Sequence, residues 1–474
     1  MLRLSPAQER DTIWDAVLPA GAILLPPDLA RVDELLSDPA FLAPFRTLWR
    51  ERDAASGRQA EAFGRPTIAM ATYVRLMVIK ARTGWGYATL VREVADSLHL
   101  RRFCLLALSD PVPDESTVRK LTRRLGPEIV AQLIREVIEL AARERRFAPR
   151  ALRIDSTVVE ADIRYPTDSG LAAAGVRLLA GAARRLRRTA GEQVGHVTDR
   201  SRSVGRCLRA LGRTLRRRTG EARDEVLRLT GEAGDLLARS IGEARRVLDR
   251  VASETAPRIC AARERLGRLV TDAARVADQI GRRVRGEPIK DRLVSFADPD
   301  ARPIRKGKLA TPTQFGYVSQ IAELTSSTGR GARGLVLPPP TRAGSIHENV
   351  LLPAMLAELG ACGLRPREVA VDAGFGIRVT REAFAPLGAT VHVVGSATNA
   401  GSRRTRRRLA RYRVGAEGRI SHLKRAYGVR RSRLRGTTGA AIWTNWAILA
   451  YDLDTAAALP PRRPSSARAA GLAA

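Results

Sequence analysis

The chain has 474 residues, more than one hydrophobic core usually supports, so two or three structural units are expected. Apolar residues make up 44%, enough to bury real cores, yet no uninterrupted apolar run approaches the roughly 20 residues of a membrane-spanning helix, and no membrane association is expected. Lysine and arginine number 82 against 49 acidic residues, a net charge of +33 that exceeds what solubility needs and implies a polyanionic partner.

Nucleic acid fits that partner best, because arginine forks match phosphate oxygens. The opening Met1-Leu2-Arg3-Leu4-Ser5-Pro6 lacks an apolar stretch followed by a small-residue cleavage site, which points to the cytoplasm. Cys104, Cys207, Cys260 and Cys362 lie far apart without a CxxC pair, so reduced, structural thiols are expected.

Along the chain, residues 1–150 read as a helical, DNA-binding region. Ala69, Tyr73, Leu76 and Ile79 form one apolar stripe, and Tyr87, Leu90, Val91 and Val94 another. Asp114-Glu115-Ser116-Thr117 is a helix start that leads into Val118, Leu121 and Leu125, with Arg119, Lys120, Arg123 and Arg124 on the opposite side. That basic face suits a DNA groove, as in a helix-turn-helix reader, and equally suits an amphipathic helix with a solvated surface.

Ala151–Val159 breaks the helical period with strand formers and carries Asp155 mid-strand, so residues 151–168 are read as the first strand of an α/β domain. Residues 169–290 return to long amphipathic helices with arginine-rich outer faces, a helical insertion suited to contacting DNA or a second copy, or to packing on itself. Residues 291–455 are read as the remainder of the α/β domain. Strands are expected at Leu293–Phe296, Gln314–Leu324, Gly334–Leu337, Glu368–Asp372 and Thr390–Val394, and helices near Glu348–Leu359, Arg378–Pro386 and Arg404–Tyr427. Residues 456–474, rich in Pro, Ser, Arg and Ala at the end, are read as a disordered tail.

Three carboxylates stand out by their place in this pattern: Asp155 within a strand, Asp372 ending a continuous apolar strand, and Glu417 on a following helix. Ligands of α/β sheets gather beyond the carboxyl ends of such strands. Hard divalent ions such as Mg²⁺ prefer oxygen ligands, and paired ions can both activate water and stabilise a leaving oxygen in phosphodiester chemistry. Singly, each position has a plain structural alternative, a turn aspartate or an ion-paired helical glutamate. Asp168 is read as a turn residue, and His347 and Glu348 as helix caps. Gly329-Arg330-Gly331-Ala332-Arg333-Gly334 has no Gly-Lys-Ser/Thr ending, so no nucleotide cofactor is expected. Arg403–Arg408 is suited to holding phosphates rather than to chemistry, with a solvated basic patch as the default reading, and Trp443 and Trp446 are read as part of a buried closing helix.

The motifs Asp155-Ser156-Thr157-Val158-Val159-Glu160, Arg164-Tyr165-Pro166-Thr167-Asp168, Phe315-Gly316-Tyr317, Val371-Asp372-Ala373-Gly374-Phe375 and Arg413-Val414-Gly415-Ala416-Glu417, followed by His422-Leu423-Lys424, resemble those of bacterial insertion-sequence DDE transposases, particularly the ISNCY group. Arg413, four before Glu417, and Lys424, seven after it, match the signature of that class. Its tyrosine does not match: Ala410 stands in that place, with Tyr412 displaced by two. Trp85-Gly86-Tyr87, Arg101-Arg102-Phe103 and Pro113-Asp114-Glu115-Ser116-Thr117 look like the helical region that precedes the catalytic domain, so the resemblance runs from about Pro66 to Leu453.

The resemblance implies an RNase H-like catalytic domain, a mixed sheet flanked by helices, joined to an all-α N-terminal region and a long helical insertion. It implies cleavage of transposon ends and their joining to target DNA, with double-stranded DNA as partner, a homodimer on that DNA, and a nucleoid-associated, cytoplasmic place in a bacterium. Asp155, Asp372 and Glu417 would be the catalytic metal ligands for two Mg²⁺ (or Mn²⁺) ions per active site, and Arg413 and Lys424 would contact phosphates beside them. A transposase-derived DNA-binding protein that no longer cuts, and an RNase H-like nuclease without strand transfer, are the alternative readings.

Overall fold

A computed structural model of the chain describes residues 2–3, 24–55, 68–217, 219–305 and 313–462. Its elements run β1 (Leu2–Arg3), α1 (Pro27–Ser37), α2 (Ala43–Ala55), β2 (Ile68–Ala69), α3 (Met70–Thr83), α4 (Tyr87–Asp96), α5 (Leu98–Phe103), α6 (Glu115–Glu144), β3 (Ala151–Ala161), α7 (Asp168–Ala190), α8 (Ser201–Thr214), α9 (Gly220–Arg250) and α10 (Pro257–Val284). They continue with β4 (Arg302–Arg305), β5 (Thr313–Thr325), β6 (Leu335–Val336), β7 (Thr341–Ala343), α11 (Leu352–Ala361), β8 (Glu368–Val371), α12 (Ile377–Phe384), β9 (Thr390–Val393), α13 (Arg403–Ala426), β10 (Arg431–Ser432) and α14 (Gly436–Ala458). The fold is mixed α/β and mostly helical. Two compact units are separable: residues 1–160, 317–342 and 346–474 form the first, and residues 161–316 with 343–345 the second.

In the first unit the strand path runs β5, β3, β8, β9, with β6 and β7 beside β5 and β10 beside β3. β3, β8 and β9 are mutually parallel, and β6 is antiparallel to β5, which makes the sheet mixed. Alternation along β3 divides its side chains between two faces. Leu152 and Ile154 join a large apolar core, whereas Ala151 packs with Ala370, Leu409 and Tyr412 beneath α13. The same large core takes in α1, α3 and α6, so the N-terminal helices and the sheet bury their apolar faces together.

Local chemistry sets the helix ends. Asp114 caps α6 by accepting a 2.8 Å bond from the Ser116 amide, as its motif predicts. α6 breaks at Gly126-Pro127, where Gly126 has φ +75° and Pro127 has no N–H to donate. α14 packs on α6 and α3, burying Trp446, whose ring meets Tyr73 edge-on at 5.8 Å. Residues 456–458, assigned from sequence to a disordered tail, close this helix, and Ala456 and Ala457 are buried. Residues 463–474 of that expected tail lie outside the described residues.

The second unit is built on α7, α8, α9 and α10, whose apolar stripes share one core including Leu179, Leu237, Val276 and Leu293. Two sequence expectations are corrected here. Leu293–Phe296 is not a strand: the Gln279 side chain accepts from the Leu293 amide at 2.6 Å and donates to its carbonyl at 3.2 Å, which satisfies that backbone against α10 instead of a neighbouring strand. Asp168 is not a turn residue but the buried first residue of α7, ion-paired to Arg283 at 2.9 Å and to Arg292. Among the described residues no helix is long and apolar enough to cross a membrane.

Candidate active site

β3 and β8 pair in parallel register, Ile154 opposite Val371, so the next residues of the two strands, Asp155 and Asp372, lie side by side where the pairing ends. Asp155 follows Ala151 and Arg153 on the sheet face that α13 covers. Each aspartate turns one oxygen onto the following amide: Asp155 Oδ1 accepts from Ser156 and Asp372 Oδ1 from Ala373, both at 2.8 Å. That fixes each carboxylate at its strand and leaves the second oxygen for another partner.

The partner is Arg413 of α13. Its Nη2 lies 3.3 Å from Asp155 Oδ2 and 3.1 Å from Asp372 Oδ2, and its Nη1 lies 2.6 Å from Glu417 Oε1. One guanidinium therefore gathers all three carboxylates singled out in the sequence, which lie 217 and 262 residues apart from first to second and first to third (155 to 372, 155 to 417). The side chains of Arg413 and Asp155 are only 10% and 12% exposed, Asp372 is 40% exposed and Glu417 63%, so the cluster opens to solvent on the Glu417 side.

The donor set suits a hard divalent ion, since every converging group is a carboxylate oxygen and a cationic group already stands among them. In this arrangement the guanidinium takes that central place, and among the described residues no group of three or more His, Cys, Asp or Glu is spaced to hold an ion directly. Arg413, expected at DNA phosphates, is instead buried among the acids. Lys424 lies half-buried on the same helix. Tyr412 is on another side of α13, its hydroxyl 2.7 Å from Thr325 Oγ1, and burial pushes its phenol up.

Glu348, which sequence reasoning assigned to helix capping, places its carboxylate beside the segment that follows Asp372. Its Oε2 packs against Gly374, two residues beyond Asp372, so closely that a Cβ there would lie 2.8 Å from it. Nothing in the sequence marks this approach, because α11 and β8 lie between the two positions. The cap is made by His347, whose Nδ1 accepts from the Asn349 amide at 3.4 Å. Glu160, close behind Asp155 in sequence, pairs with Arg431 at 3.2 Å and does not join the cluster.

Of the basic residues expected to contact DNA from the N-terminal region, Arg119, Lys120 and Arg123 are exposed on α6. Arg119 lies 3.9 Å from Glu115, and Arg124 packs its guanidinium 4.8 Å over the Trp49 ring. α6 thus keeps an outward basic edge, with Arg124 drawn toward the core.

No curated protein and no solved structure matches the chain. Residues 28–124 match a family model described as a transposase domain (DUF772), a stretch that runs from α1 to the turn before Gly126 and ends ahead of all three carboxylates. The N-terminal part of this chain, residues 28–124, is therefore similar to a transposase domain.

Proposed function

We propose that the chain is a DNA transposase of the metal-dependent DDE type, cutting transposon ends and joining them to target DNA. The observation that carries this reading is the convergence of Asp155, Asp372 and Glu417 on a single cationic group. The strand path β5-β3-β8-β9, with parallel β3, β8 and β9, supports an RNase H-like reading of the sheet. The transposase domain at residues 28–124 supports the reaction class.

Asp155, Asp372 and Glu417 would hold Mg²⁺ or Mn²⁺. Two such ions, when bound, activate the attacking hydroxyl and stabilise the leaving oxygen. The strand-borne aspartates are positioned by their own backbone amides, whereas Glu417, on the exposed rim, is held by Arg413. Arg413 neutralises the acids in this arrangement, and with Lys424 on the same helix it would supply positive charge to a DNA phosphate at the site. Joining two ends to one target calls for two copies of the chain on the DNA.

A second reading, a transposase-derived DNA-binding protein that does not cut, is favoured by one feature: Arg413 already satisfies the three acids. Nicking of DNA carrying the element's ends, identified from flanking sequence, separates the two. Mg²⁺- or Mn²⁺-dependent nicking that Asp372→Asn abolishes while DNA binding persists supports the transposase. Binding without nicking by the unaltered protein supports the silent reading.

A further inference from the structure

A second basic feature lies along α13. The loop at residues 328–333 and the outer side of α13 enclose a groove of about 1390 Å³, larger than the roughly 300–1,000 Å³ of small-molecule sites. Arg330 and Arg333 stand on the loop wall, and Arg403, Arg404, Arg407 and Arg411 on the helix wall. All six are exposed and, among the described residues, none is in an ion pair. Among the described residues, no carboxylate lines the groove.

The groove is built by a buried strut. Arg153 Nε donates to Glu323 at 2.8 Å, its Nη1 to the Tyr412 carbonyl at 3.1 Å, and its Nη2 to the Ala332 carbonyl at 2.9 Å, so one side chain ties the strand, α13 and the loop together. Arg419 holds the other Glu323 oxygen at 3.0 Å. Gly415 is what admits Arg153, since a Cβ there would lie 1.8 Å from its Nη1. Burial and the neighbouring Arg419, Arg333 and Arg425 hold the His422 imidazole below its ordinary value, as expected inside a positive field.

We infer that this groove is a second DNA-binding surface, one that takes the phosphate backbone of a duplex without reading its sequence. At 100° per residue, Arg404 and Arg411 lie roughly a third to a half turn round α13 from Arg413 and Glu417, so these two arginines face a different side from the carboxylate cluster. From Arg404 to Arg425 the helix runs about 30 Å, the axial length of roughly nine base pairs. A duplex fits better than a single strand because the lining offers no exposed aromatic platform for bases: Tyr412 is buried, and the half-buried His422 ring is engaged edge-on with Tyr427 and Tyr451. The inference stands whether or not the carboxylates cut.

The test is binding of the full chain to a random-sequence duplex in EDTA, followed by fluorescence anisotropy across a salt series. Arg404→Ala/Arg407→Ala/Arg411→Ala is expected to weaken binding about tenfold or more and to flatten the salt dependence by about 0.9 in log–log slope for each phosphate left without its arginine. The triple lysine version should recover most of the affinity. An unchanged affinity and slope in a triple alanine variant that melts normally would overturn the inference. So would a loss confined to single-stranded DNA.

Discussion

Arg413 and Glu417, one turn apart on α13, are joined through Nη1 and Oε1 at 2.6 Å. On a free helix such a pair contributes only a few tenths of a kcal/mol. Here the other arm of the same guanidinium reaches two aspartates from adjacent strands, so the pair closes a three-acid cluster.

Removing that guanidinium leaves three carboxylates facing one another with their counter-charge gone. Arg413→Gln is expected to lower stability in EDTA by about 1.5–3 kcal/mol, the range for charged hydrogen bonds. Millimolar Mn²⁺ or Mg²⁺ should then restore much of the melting temperature, with a smaller effect on the unaltered protein, where the guanidinium competes. A variant whose melting ignores divalent ions would argue against metal binding at these acids.

If the acids hold ions during cutting, Asp155→Asn and Glu417→Gln should each reduce nicking at least about a hundredfold, equivalent to about 2.7 kcal/mol in the barrier. Duplex affinity in EDTA should stay within about twofold. Comparable nicking by either variant would remove that residue from the site.

The strut beneath the groove gives a stability prediction. Glu323 is 1% exposed and bridges Arg153 and Arg419, both nearly as buried. Glu323→Gln takes the charge from between two buried cations and is expected to cost about 3–5 kcal/mol in urea denaturation. Gly415→Ala should also destabilise, because its Cβ displaces Arg153. A cost below about 1 kcal/mol for both would show that the strut is dispensable.

Lys80 supplies a pH signature. Its ammonium sits 4.8 Å from the Tyr87 ring and 4.4 Å from the Trp443 ring, and burial, then Arg433, holds its pKa at about 8 against the ordinary 10.5. Between those values the unfolded chain binds more protons than the folded one, so stability rises with pH there. The contribution is complete above 10.5 and lost as pH falls through about 8. Denaturation at pH 8 and pH 10 should show a gain on the order of 2 kcal/mol that Lys80→Met abolishes. A gain of the same size in the variant would assign it to another group.

The sequence by itself determined the elements whose signals are local. The Asp114 cap, the apolar stripes of α3 and α4, the strand around Asp155 and the long helices between residues 168 and 284 all follow from period and end chemistry. Asp155, Asp372 and Glu417 were also legible, because each falls at a recognisable place on its element. Tertiary structure alone decided what those elements do to one another. Parallel pairing of β3 with β8 sets the two aspartates side by side, and the crossing of α13 turns Arg413 inward rather than toward solvent. Leu293–Phe296 has a strand's composition but finds its hydrogen bonds on Gln279, and the loop and helix arginines become a groove only because Arg153 ties their backbones together. Periodicity reports which face of an element is buried; the partner that buries it is set by contacts hundreds of residues away, which no local pattern encodes.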